Sequence, residues 1–280
     1  MQPRSWSVRN RTLGGDRPLV MGILNVTPDS FHDGGRYSTL DLALQRCEAL
    51  LDEGADILDI GGESTRPGAT PVSEADELKR VLPLIQALVK RYDCPLSIDT
   101  MKSSVALAAL DAGASILNDV SGFTLDPKML EVPQKFGAAI VLGHMQGQPR
   151  TMQQNPHYEN VVSEVHDFLL GRVQLLAAMG LSKDKIAVDP GIGFGKRLED
   201  NYALIEHLAS LEPIGCPVLL GASRKSFIGK TLGLEHSDRF IPSIAVAVYA
   251  ALKGVSILRV HDVQATVEAL RIVSAIHRGK

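Results

Sequence analysis

The sequence predicts an α/β fold, a (β/α)8 TIM barrel with an N-terminal cap strand and long βα loops 1 and 2. First, a short apolar run ends at a side chain fit for chemistry, opens into a loop and gives way to a helical pattern. This happens eight times, at Asn25, Asp59, Asp99, Asn118, His144, Asp189, Ser223–Lys225 and Arg259–His261. In a barrel of βα units the C-terminal strand ends meet on one face, where chemistry is done. Second, 45% hydrophobic but only 5% aromatic residues imply the aliphatic core of a parallel barrel. Third, 280 residues suit one barrel domain over 1–280. The rival is a doubly wound open sheet, which usually has fewer strands and places its polar ends at a switch point.

The elements follow in order. Ser5–Arg11, closed by Gly14–Gly15, reads as a cap strand on the barrel floor, and Leu19–Leu24 as the first barrel strand. The loop Val26–Tyr37, with Gly34–Gly35, is long enough to be a lid or binding loop. Ala43, Leu44, Cys47, Leu50 and Leu51 form the buried stripe of the first helix. Strand two, Ala55–Ile60, enters Gly61–Pro71, where three glycines and two prolines forbid regular structure. Ser73, with Asp76 three residues on, caps the next helix, which Pro83 is expected to kink.

Strands Pro95–Ile98 and Ser115–Leu117 flank a helix over Lys102–Ala112. A shorter helix, Pro127–Phe136, leads to strand Ala138–Leu142 and the irregular loop His144–Asn155. Helix Tyr158–Met179 precedes strand Lys185–Val188, and helix Asp200–Leu211 precedes strand Pro217–Leu220. Ser223–Leu232 reads as a loop and short extra helix of the kind that binds a phosphate or carboxylate in barrels. Helix Ser243–Lys253 is almost wholly apolar. An outer-ring helix without a wet face predicts cover by a second copy. Strand Val255–Val260 and a helix capped by Asp262 complete the barrel.

A net charge of −3 with no basic stripe speaks against nucleic acid or an acidic membrane surface as partner. No leader is apparent and Ile241–Leu252 is about half a membrane span, so a soluble cytoplasmic protein is expected. Cys47, Cys94 and Cys216 lack CxxC spacing, which fits a reducing compartment without a zinc site. None is placed to be a nucleophile.

Asp99, Asn118 and Asp189 come from three strand ends. Carboxylates only accept hydrogen bonds while an amide does both, a set suited to a flat heterocycle with N–H donors and a ring acceptor. The plainer reading is that each carboxylate caps a helix or pairs with a nearby cation. Lys225 holds Asp189 ionised, forms a Schiff base, or is solvated. Arg66, Arg259 and His261, with Asn25 and Thr65, are the donors a diphosphate requires. Asn25 offers Mg²⁺ a single oxygen while substrate and water supply the rest. The alternative makes Arg259 the buried partner of a strand carboxylate. Met145 and Phe194 either sandwich a flat ring or simply pack. Gly191–Gly195 does not match a dinucleotide or P-loop fingerprint.

The segments NVTPDSFHDGG, DIGGESTRPGA, SIDT, NDVSG, HMQGQPRTMQ, DPGIGFGK, GASRKS and RVHDV, in order from Asn25 to Val263, resemble the signatures of the bacterial dihydropteroate synthases. The resemblance implies a pterin-binding barrel of folate synthesis that joins p-aminobenzoate to hydroxymethyl-dihydropterin diphosphate and releases pyrophosphate. It implies a pterin edge held by Asp99, Asn118, Asp189 and Lys225, with Met145, Phe194 and Arg259 against the ring. Diphosphate and Mg²⁺ fall to Asn25, Arg66, Arg259 and His261, and the p-aminobenzoate carboxylate to Ser226. Thr65 and Pro67 in loop 2 and Phe31 and Asp33 in loop 1 complete the implied substrate and catalytic set. Sulfonamide sensitivity and a homodimer through Ser243–Lys253 are further expectations. Pyrophosphate release separates this reading from a corrinoid-linked methyltransferase, borohydride trapping from a Schiff-base aldolase, and turnover from a non-enzymatic pterin binder.

Overall fold

A computed structural model describes residues 2–26, 39–64, 68–235 and 237–278. A two-stranded antiparallel hairpin, β1 (Trp6–Val8) and β2 (Arg11–Leu13), precedes the barrel. The cap is therefore a hairpin, whereas a single strand over Ser5–Arg11 was expected; the chain reverses at Arg9, whose φ is +53°. Eight parallel strands follow: β3 (Leu19–Asn25), β4 (Ile57–Gly61), β5 (Leu96–Asp99), β6 (Ile116–Asp119), β7 (Ala139–Gly143), β8 (Ile186–Asp189), β9 (Leu219–Leu220) and β10 (Ile257–Val260). Adjacent strands pair in chain order, β10 pairs with β3, and a Val188–Val218 bridge joins β8 to the β9 segment. The sheet is closed, which removes the open-sheet rival.

Strand periodicity positions the chemistry. Leu19, Met21, Ile57, Ile116, Ala139, Val141, Ala187, Leu219 and Ile257 cluster as one buried apolar group with Trp6 and Val8. Alternate residues share a strand face. Asp59, Asn118, Asp189 and Arg259, each two residues beyond a member of that cluster, therefore share its face one layer nearer the C-terminal strand ends. The intervening residues, such as Leu58, Ile98, Leu117, Ile140 and Val188, pack with the helices in the larger core. At the opposite end Trp6 is fully buried and its indole Nε1–H donates to the Lys185 carbonyl at 3.0 Å.

The outer helices are α1 (Thr39–Asp52), α2 (Glu74–Arg91), α3 (Ser103–Asp111), α4 (Val132–Phe136), α5 (Val161–Ala178), α6 (Leu198–Glu206), α7 (Ser226–Leu232), α8 (Phe240–Leu252) and α9 (Val263–Arg278). Ser73 caps α2, accepting from the Asp76 N–H, and the helix runs on through Pro83. The segment expected as one helix over Pro127–Phe136 splits into a 3-10 turn, Pro127–Glu131, and α4. The helix expected from Tyr158 starts at Val161, because Asn160 accepts from the Val162 and Ser163 N–H groups. The helix expected from Asp200 begins at Leu198, ends at Glu206 and continues as a 3-10 stretch, Leu208–Ile214, containing Pro213. Helix α8 begins three residues before the expected Ser243, with Pro242 in its first turn, where no backbone donor is needed. Ser243, Ala247 and Ala250 are buried, while Ile241 is 75% and Leu252 57% exposed, as are Ile272 and Ile276 of the neighbouring α9 at 65% and 63%.

Candidate active site

The C-terminal mouth of the barrel holds a compact charge cluster. The Arg259 guanidinium donates from Nε to Asp59 Oδ2 and from Nη2 to Asp99 Oδ2, each at 2.6 Å. Asn118 Nδ2 lies 3.4 and 3.3 Å from the two Asp59 oxygens. Arg259, grouped from the sequence with a diphosphate set, thus lies among the strand carboxylates, the alternative partner considered for it. Burial penalises its charge, but Asp59 and Asp99 raise its pKa. Burial pushes the Asp99 carboxyl up to about 7 against the pull of Arg259, with Asp59 and Asp119 adding to the rise. Asp99 Oδ1 is buried and has no hydrogen-bond partner among the described residues. A buried acceptor without a donor is costly unless something else supplies one.

On the other side of the mouth, Asp189 accepts the Gly191 N–H at 2.8 Å, and burial raises its pKa against that bond and the nearby Lys225 and Arg259 charges. The Lys225 ammonium sits 3.6 Å from the centroid of Phe194, a cation–π contact. Burial lowers its pKa to about 7, with Asp189 opposing the fall. Phe194 and Met145 are buried with Val120 and Met152 in a small apolar cluster, against which the partly buried Met101 packs. Both residues pack, and the ring carries the lysine.

Loops after β7 and β8 are joined by Lys196, which is 2% exposed. Its ammonium meets His144 Nδ1 at 2.9 Å and donates to the carbonyls of His144 at 3.2 Å and Phe194 at 3.1 Å. Burial and Lys196 together drive the His144 pKa down to about 3, so the imidazole is neutral and Nδ1 accepts. Burial also lowers Lys196 to about 7, while Asp189 draws it up. The two loops touch through backbone. A Cβ on Gly191, at φ +69°, would lie 1.9 Å from the His144 carbonyl oxygen.

At the rim, Ser223 Oγ lies 3.1 Å from His261 Nδ1 and accepts the His261 N–H at 3.3 Å. Ser226 is exposed at the start of α7. Asp262, expected as a helix cap, has its carboxylate taken by both Nε and Nη2 of Arg224. Glu63, near the start of loop 2, accepts the Val72 N–H at its end and pairs with Lys102 at 2.6 Å, which also pairs with buried Glu77. Asn25 closes β3 beside Gly61, its Oδ1 3.5 Å from where a Cβ on that glycine would stand. A single hard oxygen at a strand end fits a Mg²⁺ held mainly by substrate and water. Among the described residues no group of three or more His, Cys, Asp or Glu could hold a metal ion. Phe31, Asp33, Thr65, Arg66 and Pro67 lie outside the described residues. Burial raises the thiol pKa of Cys47 to about 12 and of Cys94 and Cys216 to about 11, far from nucleophiles at neutral pH.

Asp59, Lys196 and Arg224 had no role assigned from the sequence. Asp59 carried a signal: a carboxylate inside the run Leu58–Ile60, on the same strand face as Ile57. Nothing local marks Lys196, since a lysine after a glycine loop is ordinarily exposed.

This chain, with its closed parallel barrel and charged mouth, belongs to the pterin-binding enzymes: residues 21–261 match the family's model, described as pterin binding enzyme. The chain is 47% identical to the dihydropteroate synthase of Haemophilus influenzae over 95% of this chain and 96% of that one. A Yersinia pestis dihydropteroate synthase solved with a sulfonamide drug complex superposes with a TM-score of 0.92 at 46% identity, covering 98% of this chain and 100% of that one. A Xanthomonas albilineans dihydropteroate synthase solved with 4-aminobenzoic acid gives 0.92 at 46%, covering 99% of both.

Proposed function

We propose that this chain is a transferase that condenses 6-hydroxymethyl-7,8-dihydropterin diphosphate with 4-aminobenzoate to give 7,8-dihydropteroate and diphosphate. The observation that carries the reading is the Asp59–Arg259–Asp99 array, its carboxylates buried, with Asn118 and Asp189 beside it. Asp99 Oδ1 awaits a donor, and the N–H edge of a pterin ring supplies one. Asn118 and Asp189 take the remaining ring polar atoms. Lys225, over Phe194, donates to a ring oxygen or nitrogen.

The reaction is dissociative. The methylene C–O bond breaks with its electron pair leaving on diphosphate, and the aniline nitrogen then forms the new C–N bond and gives up a proton. No protein nucleophile is required. Carboxylates at Asp59, Asp99 and Asp189 bear the cationic pterin methylene, and preorganised charge in a water-poor site is worth more than in water. Arg66, Arg259 and His261 serve the leaving diphosphate, with Asn25 the protein's oxygen for Mg²⁺. When bound, the ion neutralises charge on the diphosphate oxygens. Ser226 meets the 4-aminobenzoate carboxylate, and Phe31, Asp33, Thr65 and Pro67 act from loops 1 and 2. The sulfonamide-bound relative supports inhibition by sulfonamides.

The chain works as one cytoplasmic domain, and no described helix is long and apolar enough to cross a membrane. Neither nucleic acid nor membrane is a partner. A homodimer covers the exposed apolar face of α8 and α9. Ile241→Glu with Ile272→Glu is expected to shift a dimer to monomer in sedimentation; an unchanged mass rejects that interface. The function is tested by incubating the chain with Mg²⁺ and both substrates and following dihydropteroate and diphosphate together. Failure to form either product from folded protein overturns it.

A further inference from the structure

We propose that Arg224 and Asp262 form a positioning clamp that sets the register of the loop after β9 against the loop after β10, and thereby controls capture of 4-aminobenzoate. This rests on the function proposed above. Arg224 Nε donates to Asp262 Oδ2 at 3.0 Å and Nη2 to Oδ1 at 2.5 Å, a two-pronged fork. Such paired bonds fix orientation as well as distance. Asp262 follows His261 directly, and Arg224 directly precedes Lys225 and Ser226. One ion pair therefore sets the spacing between Ser226, assigned to 4-aminobenzoate, and His261, assigned to diphosphate.

The rest of Arg224 is held as firmly. Its N–H donates to Ser243 Oγ at 2.9 Å, and its carbonyl accepts from Arg239 Nη1 at 3.2 Å. Ser243 Oγ in turn donates to the Arg239 carbonyl at 2.5 Å. Arg239 passes over α7 at Gly229, where a Cβ would lie 2.5 Å from its guanidinium. The backbone of Arg224 has φ +56°, a conformation uncommon for a residue with a Cβ, and persists where the surroundings impose it. A surface ion pair does not need such support. The Arg224 and Asp262 side chains are only 28% and 13% exposed.

The alternative is that the pair merely stabilises the fold, and the test separates the two. Asp262→Asn keeps shape and removes charge, while Arg224→Gly accepts the positive φ and removes the fork. Each single variant is expected to raise the KM for 4-aminobenzoate about tenfold with kcat changed less than about threefold, since misregister of a binding group acts chiefly on capture. The double variant is expected to cost no more than the worse single one, as for residues acting through one contact. Hydrogen exchange at the Ser223–Phe227 amides is expected to quicken in all three. Loss of stability alone would lower the active fraction and leave KM unmoved. An unchanged KM, additive effects or unchanged exchange each overturn the clamp. If the unaltered chain makes no product, the function fails, and exchange alone then decides the register claim.

Discussion

Replacing Lys196 with Met tests whether a buried ammonium is kept for stability or for placement. A lysine whose pKa is held at about 7 rather than its usual 10.5 carries a penalty of about 5 kcal/mol on its charged form. Methionine escapes that penalty at similar length. Against this, His144 Nδ1 and the carbonyls of His144 and Phe194 lose their donor, at about 1–3 kcal/mol for each buried acceptor. The opposing contributions are of one size. The groups it bonds are neutral and Asp189 keeps the charges of Lys225 and Arg259, so the net change in unfolding free energy is expected to fall between a gain of about 2 and a loss of about 4 kcal/mol. Activity has no such compensation. The freed carbonyls belong to His144, next to Met145, and to Phe194, whose ring carries Lys225, and a shift of about 1 Å there is expected to cost on the order of 100-fold in kcat/KM. Urea unfolding and steady-state kinetics on one preparation decide the matter. A stability loss above about 4 kcal/mol with normal kcat/KM in the folded fraction refutes the argument, because it makes the lysine a purely structural strut.

Asp59→Asn should destabilise by about 3 kcal/mol and abolish most turnover, since Arg259 loses one of its two buried carboxylates; chemical denaturation showing under about 0.5 kcal/mol would contradict the array. His144 has its folded pKa lowered to about 3 from 6.5, so its contribution is full above pH 6.5 and is lost as pH falls toward 3. The unfolding free energy, from denaturant titrations at each pH, should therefore decline less steeply below pH 6.5 for His144→Asn, by up to about 1.4 kcal/mol per pH unit in the difference; parallel profiles exclude this. Gly191→Ala puts a Cβ against the His144 carbonyl at positive φ and should cost about 3 kcal/mol or more. Its normal stability in calorimetry would show that the two loops separate easily.

Asp99, Asn118 and Asp189 were legible because a polar residue closing an apolar strand must face either helices or mouth, and a barrel makes those ends converge. Asp59 lay in view inside its run, yet its bond to Arg259 spans 200 positions, beyond any local pattern. The same holds for Arg224 and Asp262, 38 residues apart. The bonds of Arg259 to the carboxylates have a simple cause. Strand order sets β10 beside β3, and the side chain is long enough to reach the carboxylates of β4 and β5 across the mouth. Helix starts were misplaced where a side chain caps the backbone, as at Asn160, and ends where a 3-10 turn takes over, as after Glu206.

The indole of Trp6, the chain's single tryptophan, is sealed at the end of the molecule remote from the charged mouth. Its fluorescence is a built-in optical gauge of the plugged end. Emission should hold steady through a titration with either substrate and redden only when the hairpin leaves its seat, so one cuvette distinguishes ligand occupancy from loss of structure.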